Sequence, residues 1–138
     1  MDARERQEMQ NKVEFSTFFT DLYDNLTTQE QDLIDDFIFH FRHHGLKTFE
    51  GKKSPTDNVP LGDKDRAAKV TYAKKQKLWH AHVGHPKWNA CKNPLGGYKT
   101  SDYVVHFQKF SDTYIALVDY DSHNNMRPPS RERLFKRI

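Results

Sequence analysis

The sequence predicts a single α+β domain in which an N-terminal strand and a helical hairpin pack on a small, curved, mainly antiparallel sheet. Two segments of the first third carry apolar residues at helical spacing, and three segments of the second half carry the pattern of strands. A chain of 138 residues has the usual size of one domain. We divide it into a polar extension at 1–11, the domain at 12–127 and a basic tail at 128–138.

A short strand is expected to open the domain, because Val13 and Phe15 alternate with polar residues. Apolar residues then recur every three or four positions, which predicts a helix over 17–26. A second helix is expected over 29–44. It has a capping-box pattern at its start, one apolar stripe along its length and Gly45 as its stop.

The second half is expected to form the sheet. Residues 46–62 are rich in Gly, Pro, Asn and Asp and predict a long loop, followed by a short helix or an extended segment from Asp63. Strands are predicted over 78–84, 102–109 and 113–120, joined as an antiparallel meander. If the helical hairpin covers one face of this sheet, the other face is left partly open.

The composition indicates a protein of the reducing cytoplasm with no membrane span. The N-terminus lacks the apolar core of a secretory signal, and no segment approaches the roughly 18 consecutive apolar residues of a spanning helix. Cys91 is the single cysteine, so we expect no internal disulfide. Aromatic residues make up 13% of the chain, which is enough to build a core and argues against disorder.

Charge is distributed unevenly along the chain. Residues 1–65 hold 8 Lys or Arg and 14 Asp or Glu, whereas residues 66–138 hold 14 and 5. A basic half of this kind is typical of a surface that binds phosphate groups. A solvated basic face accounts for the same distribution, so both interpretations stay open on charge alone.

Histidines on the predicted strands form the candidate site. His80 and His82 share one face of a strand because side chains alternate, and His106 can face the same side from the next strand. Imidazoles titrate near neutral pH and transfer protons, while Lys and Arg neutralise charge on a phosphoryl group, which suits RNA cleavage. The candidate catalytic residues are His80, His82, His106, His123, Arg127 and Lys99.

Two other interpretations of these histidines exist. The strand histidines can be buried structural residues that hydrogen bond to the backbone. Alternatively, His80-x-His82-x-x-His85 resembles a metal-ligand cluster, but no Cys pair or carboxylate stands at a typical ligand spacing. His85 also follows the glycine at which the strand is expected to end. We therefore expect neither a metal nor another cofactor.

Several segments resemble the RelE/ParE superfamily of type II toxins, over about residues 12–127. The run from Val13 to Phe41 is similar to the opening strand and helical hairpin of that superfamily. Within it, the closest likeness is to the YafO mRNA interferase family. That likeness rests on His80-Ala81-His82, on the segment 99–106 and on the spacing His123-x-x-x-Arg127.

The resemblance implies a ribosome-dependent endoribonuclease that enters the ribosomal A site and is encoded beside an antitoxin. The 2′-OH of the mRNA attacks the adjacent phosphate, so no metal is needed. His82 or His80 would be the general base, His123 or His106 the general acid, and Arg127 would stabilise the phosphorane, with Lys99 in support. Ribosomal RNA would be held by the basic residues Arg66, Lys69, Lys74, Lys75, Lys77, Arg131, Arg133, Lys136 and Arg137.

Two alternatives remain open beside this hypothesis. Toxins of the ParE type have a similar fold and act on DNA gyrase without cleaving RNA, in which case the histidines are structural. A metal-dependent nuclease is the third hypothesis. The sequence specifies neither the codon preference nor the antitoxin.

Overall fold

A five-stranded mixed sheet organises the fold in the computed structural model, which describes residues 11–91, 96–123 and 127–138. The strands lie in the order β1-β5-β4-β3-β2, and β1 pairs parallel to β5 while the other pairs are antiparallel. The α+β class and the antiparallel meander of the last three strands are therefore confirmed. The strands are β1 (Lys12–Phe15), β2 (Lys53–Pro55), β3 (Leu78–His82), β4 (Tyr103–Ser111) and β5 (Tyr114–Ser122).

The helical hairpin forms where its caps predict it. The helices of the described residues are α1 (Thr17–Asp24), α2 (Thr28–His44) and α3 (Arg66–Lys75). The Ser16 hydroxyl accepts a hydrogen bond from the amide of Phe19 and starts α1. Thr27 and Glu30 form the capping box of α2. Gly45 ends that helix with a φ of 78°, a backbone conformation that glycine adopts without strain.

The main core lies between the helical hairpin and one face of the sheet. Phe19 of α1 and Phe37 and Phe41 of α2 are fully buried against apolar side chains of β3, β4 and β5. Ala81 and Val83 belong to this core, as strand alternation predicts. The core residues include Phe19, Ile34, Phe37, Phe41, Val105, Phe107, Ile115 and Leu117.

The second face of the sheet is more covered than the sequence predicts. Leu78 and Val118 lie on it and are buried by Ala73 of α3 and by Leu134 of the C-terminal segment, where a 3-10 turn spans Arg131–Arg133. Apolar residues on this face need a cover, and α3 and the C-terminal segment provide it. The expected opening of this face is therefore smaller than predicted, and a cavity remains at the histidine end of the sheet.

Strand β2 lies inside the segment that the sequence predicts as a loop. It is an edge strand of three residues paired with β3, so Pro55 is tolerated there. The preceding Gly51 packs so closely on β3 that an added Cβ would stand 2.0 Å from the carbonyl oxygen of His82. Only glycine permits this approach. The predicted helix after the loop forms, but it begins at Arg66 rather than at Asp63.

Some predicted features fall outside the described residues. They are the N-terminal extension except Asn11, the centre of the loop before β4 and residues 124–126 between His123 and Arg127. Within the part of the chain that the structure describes, no helix has both the length and the apolarity needed to cross a bilayer.

Candidate active site

A cavity of about 460 Å³ opens on the sheet face opposite the helical hairpin. It brings together four of the six predicted catalytic residues. Histidines from β3 and from the end of β5 form its floor, β2 and the loop after it form one wall, and residues around α3 and the start of the C-terminal segment complete it. The predicted residues that line it are His80, His82, His123 and Arg127.

Three imidazole rings lie within contact range of one another. His80 and His82 point to the same face because they are two positions apart on β3, and their ring centroids are 6.4 Å apart. His123 follows β5, with its ring centroid 5.6 Å from that of His80 and 4.8 Å from that of His82. The alternation argument therefore placed the two strand histidines correctly, and the topology adds the third.

The three rings differ in how their nitrogens are used. Nδ1 and Nε2 of His80 lie 3.1 Å and 3.4 Å from the hydroxyls of Thr56 and Ser54, respectively. Nδ1 of His82 lies 2.7 Å from the carbonyl oxygen and 3.0 Å from the amide nitrogen of Ser101. Among the described residues, no group hydrogen bonds to Nε2 of His82 or to the ring of His123. These two rings thus keep a nitrogen for a ligand.

Burial keeps the imidazoles uncharged at neutral pH. It lowers the pKa of His80 to about 3, with repulsion from the neighbouring histidines and Lys52 adding to the effect. Burial likewise lowers the pKa of His82 and of His123, and Lys52 contributes to both shifts. A neutral imidazole with a free nitrogen can accept a proton, which is the first requirement of a general base.

Cations surround the rings. The exposed side chains of Lys52 and Arg127 line the cavity, and Lys69 extends from α3 to place Nζ 2.6 Å from Asp63 Oδ2. Hydrogen bonding to Lys69 lowers the pKa of the Asp63 carboxyl. This carboxylate is the one acidic group among the lining residues, so the cavity favours an anion.

His106 and Lys99 do not line the cavity. His106 lies on β4 next to His80, with ring centroids 6.0 Å apart, but it is only 2% exposed and burial lowers its pKa to about 4. Its Nδ1 has no hydrogen-bond partner among the residues that the structure describes. The alternation rule predicts the face of a strand residue but not how deeply neighbouring elements bury it.

Lys99 is exposed, and its Nζ lies 3.7 Å from a carboxylate oxygen of Glu50. Its main chain nevertheless supports the site, because the carbonyl of Lys99 accepts a hydrogen bond of 2.8 Å from the amide of Lys52. The sequence predicts Lys99 as the lysine of the site, but the lysine that lines the cavity here is Lys52. No sequence signal identifies Lys52, Ser54 or Thr56, because a long loop is predicted there.

The predicted RNA-binding residues divide into free and engaged groups. Lys74, Lys75 and Lys77 are exposed at and after the end of α3. Arg133 is held against the domain, with Nη1 2.8 Å from Asp119 Oδ2 and its guanidinium over the ring of Phe18. Other members contact backbone carbonyls or rings: Arg66 with Val59, Arg137 with Arg131, and Lys136 with Phe110.

His85, the third member of the candidate metal motif, is not in the cavity. Its Nε2 lies 3.7 Å from Glu30 Oε2 and its ring packs on Tyr103, which belongs to the main core. Across residues 11–91, 96–123 and 127–138, no group of three His, Cys, Asp or Glu side chains is arranged to hold a metal ion.

Comparison with known proteins adds no further assignment to this geometry. The chain matches no protein-family model, no curated protein and no solved structure.

Proposed function

We propose that the protein is a RelE/ParE-like toxin of a type II toxin–antitoxin system that cuts translated mRNA in the ribosomal A site. One observation carries this proposal. His82 and His123, each with an unused ring nitrogen, lie with ring centroids 4.8 Å apart in a cavity lined by Lys52 and Arg127. Acid–base groups beside cations suit phosphoryl transfer that uses the RNA's own 2′-OH as the nucleophile.

In this mechanism His82 is the general base. It acts in the tautomer whose Nδ1–H donates to the Ser101 carbonyl at 2.7 Å, so that Nε2 takes the proton of the 2′-OH. The bond between O2′ and phosphorus forms as the bond between phosphorus and O5′ breaks. Lys52 and Arg127 neutralise the charge that develops on the phosphoryl oxygens.

His123 is the general acid that protonates the departing 5′ oxygen. Burial and Lys52 lower its pKa in the empty cavity. A bound phosphate brings a negative charge close to the ring, which raises the pKa and favours the imidazolium. The two ring nitrogens of His80 face the hydroxyls of Thr56 and Ser54, so His80 positions the other two rings. The buried His106 lies beside His80 on the adjacent strand and supports its position.

The products test this assignment. Purified protein is added to pre-formed, magnesium-stabilised ribosome–mRNA complexes, with and without EDTA, and to mRNA alone. We expect cleavage only on ribosomes, a 2′,3′-cyclic phosphate on the 5′ fragment and a 5′-OH on the other, with EDTA having no effect on the rate.

Other outcomes would replace the proposal. A free 3′-OH paired with a 5′-phosphate rules out attack by the 2′-OH, and cleavage that stops with EDTA indicates a metal-dependent nuclease. Intact mRNA together with DNA breaks in cells that express the protein supports the ParE-like alternative.

A further inference from the structure

A second cavity, of about 450 Å³, lies on the other side of the β2–β3 edge of the sheet. It shares no lining residue with the histidine cavity. Two aromatic rings and several cationic side chains contribute to its wall. They are Trp79, Tyr98, Lys47, Lys53 and Lys109.

Each aromatic ring is paired with a lysine. Nζ of Lys53 stands 3.5 Å from the ring centroid of Tyr98 and donates hydrogen bonds to the carbonyls of Lys47 and Phe49. Nζ of Lys109 stands 4.4 Å from the ring centroid of Trp79. The Tyr98 hydroxyl donates to the carbonyl of Lys47 at 2.6 Å, which fixes the orientation of its ring. The cavity therefore offers planar apolar surface and positive charge side by side.

This combination selects the chemistry of the ligand. A flat aromatic group gains from stacking on Tyr98 or Trp79, and an anionic group gains from the ammonium groups. The one carboxylate in the lining, Asp112, is paired with Lys109 at 3.2 Å. A nucleotide carries both a planar base and a phosphate, and a cationic ligand would be repelled.

Strand alternation connects this cavity to the candidate active site. Lys53 and Trp79 face it from β2 and β3, while the next residues of the same strands, Ser54 and His80, face the histidine cavity. Strands β2 and β3 lie between the two cavities, and β2, which has three residues, is the edge strand of the sheet. An RNA strand that passes around this edge can place nucleotides on both faces.

We propose that this second cavity binds one nucleotide of the single-stranded RNA whose cleaved phosphate lies in the histidine cavity. The identity of the strand rests on the proposed function, but nucleotide binding does not. The base stacks against Tyr98 and Trp79, and its phosphate lies near Lys53 and Lys109.

Binding is measured directly by titrating adenosine 5′-monophosphate, adenosine and inorganic phosphate into the intact protein in a calorimeter. We expect the monophosphate to bind more tightly than either fragment. Tyr98→Leu removes the exposed ring and is expected to weaken monophosphate binding about tenfold or more. Tyr98→Phe keeps the ring and should restore it. Lys109→Gln should weaken binding of the monophosphate but not of adenosine.

Tyr114→Leu is the matched control, because Tyr114 lies at the opposite edge of the sheet with Lys12 5.1 Å from its ring centroid. We expect its affinity to equal that of the unaltered protein. Melting temperatures establish that every variant is folded.

The inference is overturned if Tyr98→Leu binds the monophosphate normally, or if binding depends on Lys52 and Arg127 instead. These results differ from failure of the proposed function. If nucleotide binding depends on Tyr98 but no mRNA is cleaved, the assignment of the second cavity stands and the proposed nuclease function fails. If mRNA is cleaved but no such nucleotide binding occurs, the proposed function stands and the assignment of the second cavity fails.

Discussion

At the scale of single residues, His82 and His80 differ in what their ring nitrogens contact. His82 uses Nδ1 on the Ser101 backbone and keeps Nε2 unused, whereas both nitrogens of His80 face hydroxyl groups. In the proposed mechanism, His82 and His123 therefore transfer the protons, while His80 holds the other two rings in position.

Substitution of the two strand histidines should separate these roles. His82→Asn keeps a donor for the Ser101 carbonyl but cannot transfer protons, so cleavage should fall about 10²–10⁴-fold with little change in melting temperature. His80→Ala leaves the Thr56 hydroxyl without its partner and should lower the free energy of unfolding by about 1–3 kcal/mol.

Cleavage rates and thermal melts of both variants check this, with Gln29→Ala as an exposed control near the start of α2. Near-normal cleavage by folded His82→Asn would exclude its role as the base.

Buried histidines should also make stability depend on pH. Burial lowers the pKa of His106 to about 4 in the folded protein, against about 6.5 in an unfolded chain. Between these values the unfolded state binds more protons, so stability is complete above pH 6.5 and is lost as the pH falls. One such histidine changes the free energy of unfolding by up to about 1.4 kcal/mol per pH unit in that window.

Urea unfolding of the unaltered protein and of His106→Leu between pH 7 and pH 4.5 measures this. We expect the variant to show a shallower loss of stability on acidification. Equal slopes for the two proteins would contradict the assignment of His106 as a buried neutral group.

At the scale of elements, two buried glutamines bind the C-terminal segment to the sheet. Gln108 of β4 accepts hydrogen bonds from the amides of Phe135 and Lys136 and donates one to the carbonyl of Lys136. Gln76, just after α3, exchanges a similar pair of hydrogen bonds with Ile138. The basic segment is thus ordered by side-chain amides in place of a paired strand.

Gln108→Leu should release this segment. The change keeps most of the side-chain volume but leaves two partly buried amides unpaired, which should cost about 1–3 kcal/mol of the free energy of unfolding. Amide exchange of residues 131–138 should accelerate more than that of the sheet. Gln29→Leu, at an exposed position near the start of α2, is the control. Unchanged exchange in the segment would show that Leu134 alone retains it.

Local signals predict much of the fold, whereas contacts between distant segments account for what the sequence does not reveal. Caps and apolar spacing are local, so α1, α2 and the meander follow from the sequence. Strand β2 consists of Lys53, Ser54 and Pro55, which favour a loop locally, and it exists because it pairs with β3. The sequence likewise predicts Lys99 and not Lys52 as a site residue. Lys52 reaches the cavity through a contact between distant segments, because Gly51 packs closely on β3 and brings the neighbouring backbone there.

At the scale of the whole molecule, charge divides the protein into an acidic and a basic part. The acidic residues concentrate on and around α1 and α2. The exposed lysines at and after the end of α3 belong to the basic second half of the sequence, as do Lys69 and Arg127 of the histidine cavity. In the electric field of a polyanion, such a charge distribution orients the molecule with the histidine cavity toward the polyanion.

This asymmetry should appear in the salt dependence of ribosome binding. Replacing Lys74, Lys75 and Lys77 with Gln removes three exposed positive charges and should weaken binding and flatten its dependence on salt, because fewer counterions are released. The same replacement of Lys12, Arg42 and Lys87, which are exposed elsewhere, changes net charge equally and serves as the control. If the two triple variants weaken binding equally, the contribution of Lys74, Lys75 and Lys77 comes from net charge and not from their position.

The burial of three imidazoles around Lys52 has one more consequence. In the empty cavity, burial and Lys52 lower the pKa of these rings. The negative charge of a bound anion acts in the opposite direction and raises the pKa. Anion binding and proton uptake are therefore thermodynamically linked, and each must strengthen the other to the same extent. We therefore expect the protein to take up protons from solvent when an anion binds, and its affinity for anions to rise as the solution becomes more acidic.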